Sequence, residues 1–120
     1  MNGVTDPDPD GVPADHGPLD TRLRVGTIRS CTENSRARRP AFILQVDLGP
    51  HGVRTSSAQL TEHHRPEDLV GRQVIVATDL GMKRIAGVES EVLVLGLPDA
   101  DGSTILIAPD RRVPDGGLVH

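Results

Sequence analysis

The sequence predicts a small all-β domain: a five-stranded barrel with one short helix between strands three and four and an added C-terminal β-ribbon. Three observations carry this. From Leu23 onward, short β-branched apolar runs recur at regular intervals and are separated by turn residues. A single helix signature interrupts them, Arg65-Pro66-Glu67-Asp68-Leu69-Val70-Gly71. Before Leu23 apolar periodicity is missing: residues 1–19 hold the DPDPDG run, Pro13 and Gly17-Pro18. That segment is expected to be a disordered acidic tail, leaving 20–120 as the folded domain. At 120 residues the chain has room for one core of ordinary size, not two.

The first run, Leu23 to Cys31, alternates at Leu23 and Val25 and then slips phase at Gly26 toward Ile28, as a bulged strand at a barrel corner would. In the second, Phe42, Leu44, Val46 and Leu48 alternate with Ile43, Gln45 and Asp47, the pattern of a half-buried strand with Phe42 in the core. The tight turn Gly49-Pro50-His51-Gly52 implies a hairpin with a third strand, Val53 to Ala58. In the helix signature, Pro66 lies near the first helical position, acids fill the first turn and Gly71 follows the last residue, as helix polarity requires. Gln73 to Thr78 reads as strand four and Glu91 to Leu97 as strand five. The run Val92-Leu93-Val94-Leu95 is apolar on both faces and needs a second cover. A turn, Pro98 to Gly102, leads to a last strand, Thr104 to Ala108, and a Pro/Gly-rich end. Three strands, a helix and two strands is the order of the oligonucleotide-binding (OB) barrel, which commonly binds oligonucleotides or oligosaccharides on an open face.

Composition narrows the function. No stretch approaches the roughly 18 apolar residues of a membrane helix, and the N-terminus has no signal-peptide pattern, so a cytoplasmic protein without membrane insertion is expected. The lone Cys31 excludes an internal disulfide. The neighbours His63 and His64 would point to opposite faces of a strand and make no ready metal pair. No carboxylate pair has a His or Lys to organise acid–base work, and no glycine-rich phosphate loop is present. Neither an enzyme, a metal nor a cofactor is expected.

The formal charge of −4 is unevenly placed. Residues 1–20 contain Asp6, Asp8, Asp10, Asp15 and Asp20 and no Lys or Arg, leaving twelve of the seventeen acidic residues against thirteen basic ones in the body. Twelve of those thirteen are arginine, whose planar fork suits bidentate contact with phosphate. Arg36, Arg38 and Arg39 fall between strands one and two, and Lys83-Arg84 between strands four and five, the two connections that flank the ligand face of an OB barrel. Ser56, Ser57 and Gln59 on strand three offer short neutral donors and acceptors between them. With no Tyr or Trp and only Phe42, the chain lacks a platform for stacking single-stranded bases. Recognition of a folded RNA by shape, phosphate and 2′-OH fits better.

Several blocks in order resemble the CsaA-like members of the tRNA-binding domain family: Arg24-Val25-Gly26-Thr27-Ile28, Val46-Asp47-Leu48-Gly49, Ser56-Ser57-Ala58-Gln59-Leu60, Arg84-Ile85-Ala86-Gly87 and Ser90-Glu91-Val92-Leu93-Val94-Leu95-Gly96. The resemblance runs from about Thr21 to Val119. It implies an OB barrel, a homodimer, tRNA binding and, for these members, an export-chaperone role on unfolded or precursor peptides. It also implies that Ser56, Ser57, Gln59, Lys83, Arg84 and Ser90 face the ligand, with Arg36, Arg38 and Arg39 in a variable basic loop. Two positions depart from the family pattern. Arg22 stands where Asp is frequent, and Asp79 where Asn is frequent, which would put a negative charge beside the RNA face.

Overall fold

A computed structural model describes residues 21–38, 41–60, 64–85 and 87–120; the expected tail, Arg39 and His63 lie outside the described residues. β1 (Leu23–Glu33), β2 (Phe42–Asp47), β3 (Val53–Ala58), β4 (Gln73–Ala77) and β7 (Leu93–Val94) form one antiparallel sheet in the order β3-β2-β1-β4-β7. The sheet curls until its outer strands meet. Glu91 and Val92 donate from their backbone N–H groups to the Thr55 carbonyl at 2.8 and 3.3 Å, nearly closing a five-stranded barrel. The one α-helix among the described residues, α1 (Pro66–Leu69), falls between β3 and β4, as the order of sequence signals implies, and buries Leu69 completely.

The core follows from the period-two pattern of β2. Phe42, Leu44, Val46 and the following Leu48 are buried against Ile28, Leu60, Val74, Val76 and Val92, whereas Ile43, Gln45 and Asp47 are only half-covered. A 3-10 turn, Gly49–His51, links β2 to β3 and yields the expected hairpin. β1 serves two partners: Leu23 to Thr27 pair with β4, and Thr27 to Glu33 pair with β2. The irregularity in β1 lies between Ile28 and Ser30 rather than at Gly26. The extra residue, Arg29, turns outward to Asp47 at 3.0 Å. Gly26 instead marks a close approach, since a Cβ there would lie 2.6 Å from Val46 Cγ1 and 2.7 Å from Leu48 Cδ2.

Two further differences concern the region after β4. The connection expected between strands four and five contains a small hairpin, β5 (Lys83–Ile85) and β6 (Val88–Ser90), turned at Gly87 with φ +82°. The single strand expected from Glu91 to Leu97 is split. Leu93–Val94 stays in the barrel, while β8 (Gly96–Pro98) leaves it to pair with β9 (Thr104–Leu106) in a separate ribbon. Gly96 permits the departure, because a Cβ there would collide with Thr104 Cγ2 and lie 2.8 Å from the Ile105 carbonyl. The Pro98–Gly102 turn closes the ribbon through Asp99 N–H to the Ser103 carbonyl at 2.8 Å.

The C-terminal segment covers the edge of β1 that β2 leaves open. Gly116 N–H donates to the Val25 carbonyl at 2.7 Å, Val25 N–H to Gly117 at 3.0 Å, and Val119 N–H to Leu23 at 2.8 Å. The Gln73 side chain clamps this strap, donating to the Val113 carbonyl at 2.6 Å and accepting from Val113 N–H at 3.0 Å. Among the described residues no helix is long and apolar enough to cross a membrane.

Candidate nucleic-acid interface

The loop after β1 is built on Asn34. Its N–H donates to the Ala41 carbonyl at 2.9 Å, its carbonyl accepts from Ala37 N–H at 3.3 Å, and its Oδ1 accepts from Arg36 N–H at 3.1 Å. An asparagine that bonds the backbone two residues on is a local turn former. Here it folds the loop so that Arg36 and Arg38 stand exposed while Asn34 is buried. The Arg36 side chain crosses to the β5–β6 hairpin: a Cβ on Gly87 would lie 2.9 Å from its Nη1 and 3.1 Å from its Cδ. The two basic connections anticipated from sequence therefore meet.

Between them lies a groove of about 640 Å³, lined by Arg36, Arg38, Ser57 and Gln59 and floored by apolar groups including Leu60, Leu93 and Val94. Lys83 is exposed and pairs in register with Ser90 across the hairpin. Ser90 joins this hairpin to β3: its Oγ accepts from Ser57 N–H at 3.2 Å and donates to the Val92 carbonyl at 3.0 Å. Among the described residues, Arg36, Arg38 and Lys83 have no carboxylate partner. Arg84 does, being held by Glu89 at 2.9 Å.

The nine anticipated residues thus divide. Arg36, Arg38, Ser57 and Gln59 share the groove, with Lys83 and Arg84 on the adjoining hairpin. Ser90 is 6% exposed, and its hydroxyl is spent on barrel closure. Ser56 is fully buried, because register places it opposite Leu44 on the inward face. It faces the core and does not line the groove. Arg39 lies outside the described residues. Sequence reasoning missed Asn34, whose position just before the arginines was a readable turn signal, and missed Leu93 of the barrel and Thr104 of the ribbon, which both line the groove. Asp79 accepts from the Arg22 backbone N–H at 3.0 Å, a bond that does not involve the Arg22 side chain.

A second cleft, of about 420 Å³, opens near the other end of β3 beside Arg24, His51, Arg54 and Met82. Its arginines are committed: Arg24 Nη1 donates to the Gly116 carbonyl at 2.9 Å and Arg54 pairs with Glu91 at 3.4 Å. Cys31 packs partly buried against the core, and burial, with Glu33 and Glu67 nearby, pushes its thiol up to about 11. At neutral pH it is protonated and poorly nucleophilic. Among the described residues no group of three or more His, Cys, Asp or Glu could hold a metal ion.

The comparisons with known proteins agree with this geometry. The family model described as "Putative tRNA binding domain" matches residues 23–117. The methionine--tRNA ligase of Methanococcoides burtonii is 39% identical over 98 residues, 82% of this chain but 14% of that enzyme, so the chain spans about a seventh of its length. Chaperone CsaA from Bacillus anthracis str. Ames superposes with a TM-score of 0.78 at 42% identity, covering 83% of this chain and 91% of that one. The CsaA chaperone protein from Picrophilus torridus follows at 0.77 and 34%, covering 83% and 92%. The barrel, the paired basic connections and a family match over nearly the whole described fold lead to one assignment: the chain belongs to the tRNA-binding domain family.

Proposed function

We propose that this protein is a non-catalytic cytoplasmic module that binds tRNA as a homodimer, reading phosphate backbone and shape. The observation that carries this reading is the meeting of Arg36, Arg38 and the Lys83 hairpin around Ser57 and Gln59. Three exposed cations without carboxylate partners among the described residues suit phosphate, and the neighbouring serine and glutamine suit ribose hydroxyls. Each cation that neutralises a phosphate releases counterions, so log affinity falls with log salt. The triple variant R36A/R38A/K83A in the full chain is expected to weaken tRNA binding and flatten the salt slope by about 0.7–0.9 per lost contact. Wild-type affinity and slope in that variant would exclude this face. Arg84→Ala should matter less, because Glu89 already neutralises that guanidinium.

One observation favours a second reading, the binding of unfolded or precursor peptides. The groove is floored by Leu60, Leu93 and Val94, which an RNA backbone does not use and an apolar side chain does. Affinity for an uncharged unfolded peptide would depend little on salt and would survive the triple variant. If wild type shows no salt-dependent tRNA binding at all, this second reading replaces the first. Dimerisation is supported by the ribbon, where Leu97 and Ile105 face each other in register while 59% and 39% exposed.

A further inference from the structure

The first twenty residues are acidic while the rest of the chain is close to neutral with local basic clusters, and the junction between the two lies at the end of β4, where Thr78 lines the second cleft. Residues 1–20 carry five aspartates and no Lys or Arg, three of them alternating with proline as Asp6-Pro7-Asp8-Pro9-Asp10. In an extended chain at ~3.1 Å per residue, alternate aspartates recur about every 6 Å, a row of anions like a phosphate backbone. The chain enters the barrel beside the end of β4: Thr78 N–H donates to the Arg22 carbonyl at 3.0 Å, and Arg22 N–H to Asp79 at 3.0 Å. Lys83 follows Asp79 by four residues and begins the hairpin on which Arg36 rests. Twenty residues can span up to roughly 70 Å, so reach is no obstacle.

We propose that the aspartate-rich segment 1–20 docks in cis on the face formed by Arg36, Arg38 and Lys83, and competes there with RNA. Four other exposed arginines are worse hosts, and the cluster of Arg72, Arg111 and Arg112 beside Asp110 is the rival face. Arg29 is held by Asp47, Arg54 by Glu91, Arg65 by Asp68 and Arg84 by Glu89, so an incoming carboxylate must displace one already in place. Tethering gives even a weak ionic contact a local concentration on the order of millimolar. The contact is screened by salt, because both partners are solvent-exposed charges and the Debye length, about 10 Å at 0.1 M, shortens as salt rises. The segment therefore acts as an ionic-strength-dependent competitor. The docking stands on charge and geometry, and only the competition rests on the tRNA reading.

The test compares the wild-type full chain with D6N/D8N/D10N/D15N, which keeps length and proline content. Without RNA, amide spectra at about 50 mM salt should differ at residues 35–38 and 83–84, and should coincide at about 500 mM, where screening dissolves the contact. In tRNA titrations the variant should bind roughly three- to tenfold tighter at low salt, with a steeper salt slope, and match wild type at high salt. Identical low-salt spectra overturn the proposal, as do differences confined to another surface such as that around Arg72. Equal tRNA affinities at low salt overturn the competition. If the spectra differ as stated but neither protein binds tRNA, the docking is upheld and the tRNA reading falls.

Discussion

Gly26 sits where β1 crosses the inner face of the barrel, and its missing side chain is a packing requirement. A methyl group there would lie 2.6 Å from Val46 Cγ1, 2.7 Å from Leu48 Cδ2 and 3.0 Å from the Asp47 carbonyl. Gly26→Ala is expected to destabilise the fold by about 1–3 kcal/mol, the range for overpacking a filled core, as read from urea unfolding. An unchanged midpoint would show that Val46 and Leu48 can move aside freely. The sequence marked Gly26 as special but for another reason, a bulge, which falls instead at Arg29. Ser56 teaches the same lesson. Its side chain points inward because it opposes Leu44, a parity already present in the β2 pattern, whereas the resemblance implied that it faces the ligand. Of the two departures, Asp79 is used to accept from the backbone N–H of Arg22, a contact visible only once β1 and β4 are paired.

At the level of elements, β3 and the segment after β6 meet without a regular ladder. Two backbone bonds reach the Thr55 carbonyl, and the N–H groups of Thr55 and Ser57 are taken by the side chains of Glu91 at 3.0 Å and Ser90 at 3.2 Å. Ser90→Ala leaves the Ser57 N–H without its acceptor and is expected to cost about 1–2 kcal/mol. Hydrogen exchange should quicken at Ser57, while the Thr55 amide, still held by Glu91, serves as the internal control. Unaltered Ser57 protection would mean that another group supplies the bond. β2, β3 and α1 were legible because each has a strong local signal: alternation, a Gly-Pro turn, or Pro and acids ahead of a terminal Gly. The β5–β6 hairpin was not. Its strands have three residues each, too few for a period to show, and Gly87 is the main local mark of its turn. The break at Gly96 was hidden inside an apolar run, since what divides it is the approach of β9 from later in the chain.

For the whole molecule, the ribbon presents Leu97 and Ile105 outward beside the partly exposed Leu93, which also lines the groove. Light scattering at micromolar concentration should give the mass of two chains, and L97D/I105D should give one while the barrel still melts cooperatively. A wild-type mass of one chain would leave the ribbon to another role. The sequence reads as asking for a second cover over Val92 to Leu95, yet Val92 is buried within the barrel, and the ribbon exposes Leu97 and Ile105 further along. Barrel closure has a bearing on time as well as on shape. The β1–β2–β3 meander joins neighbours in sequence, whereas Thr55 reaches Glu91 across 36 residues and gains few bonds on arrival. Long loops closed for little reward tend to form late in folding. The cost of Ser90→Ala should therefore appear mainly as faster unfolding, with the refolding rate nearly unchanged. The edge of the groove would then be the part of the molecule that opens most readily, beside the surface on which an RNA or a peptide would rest.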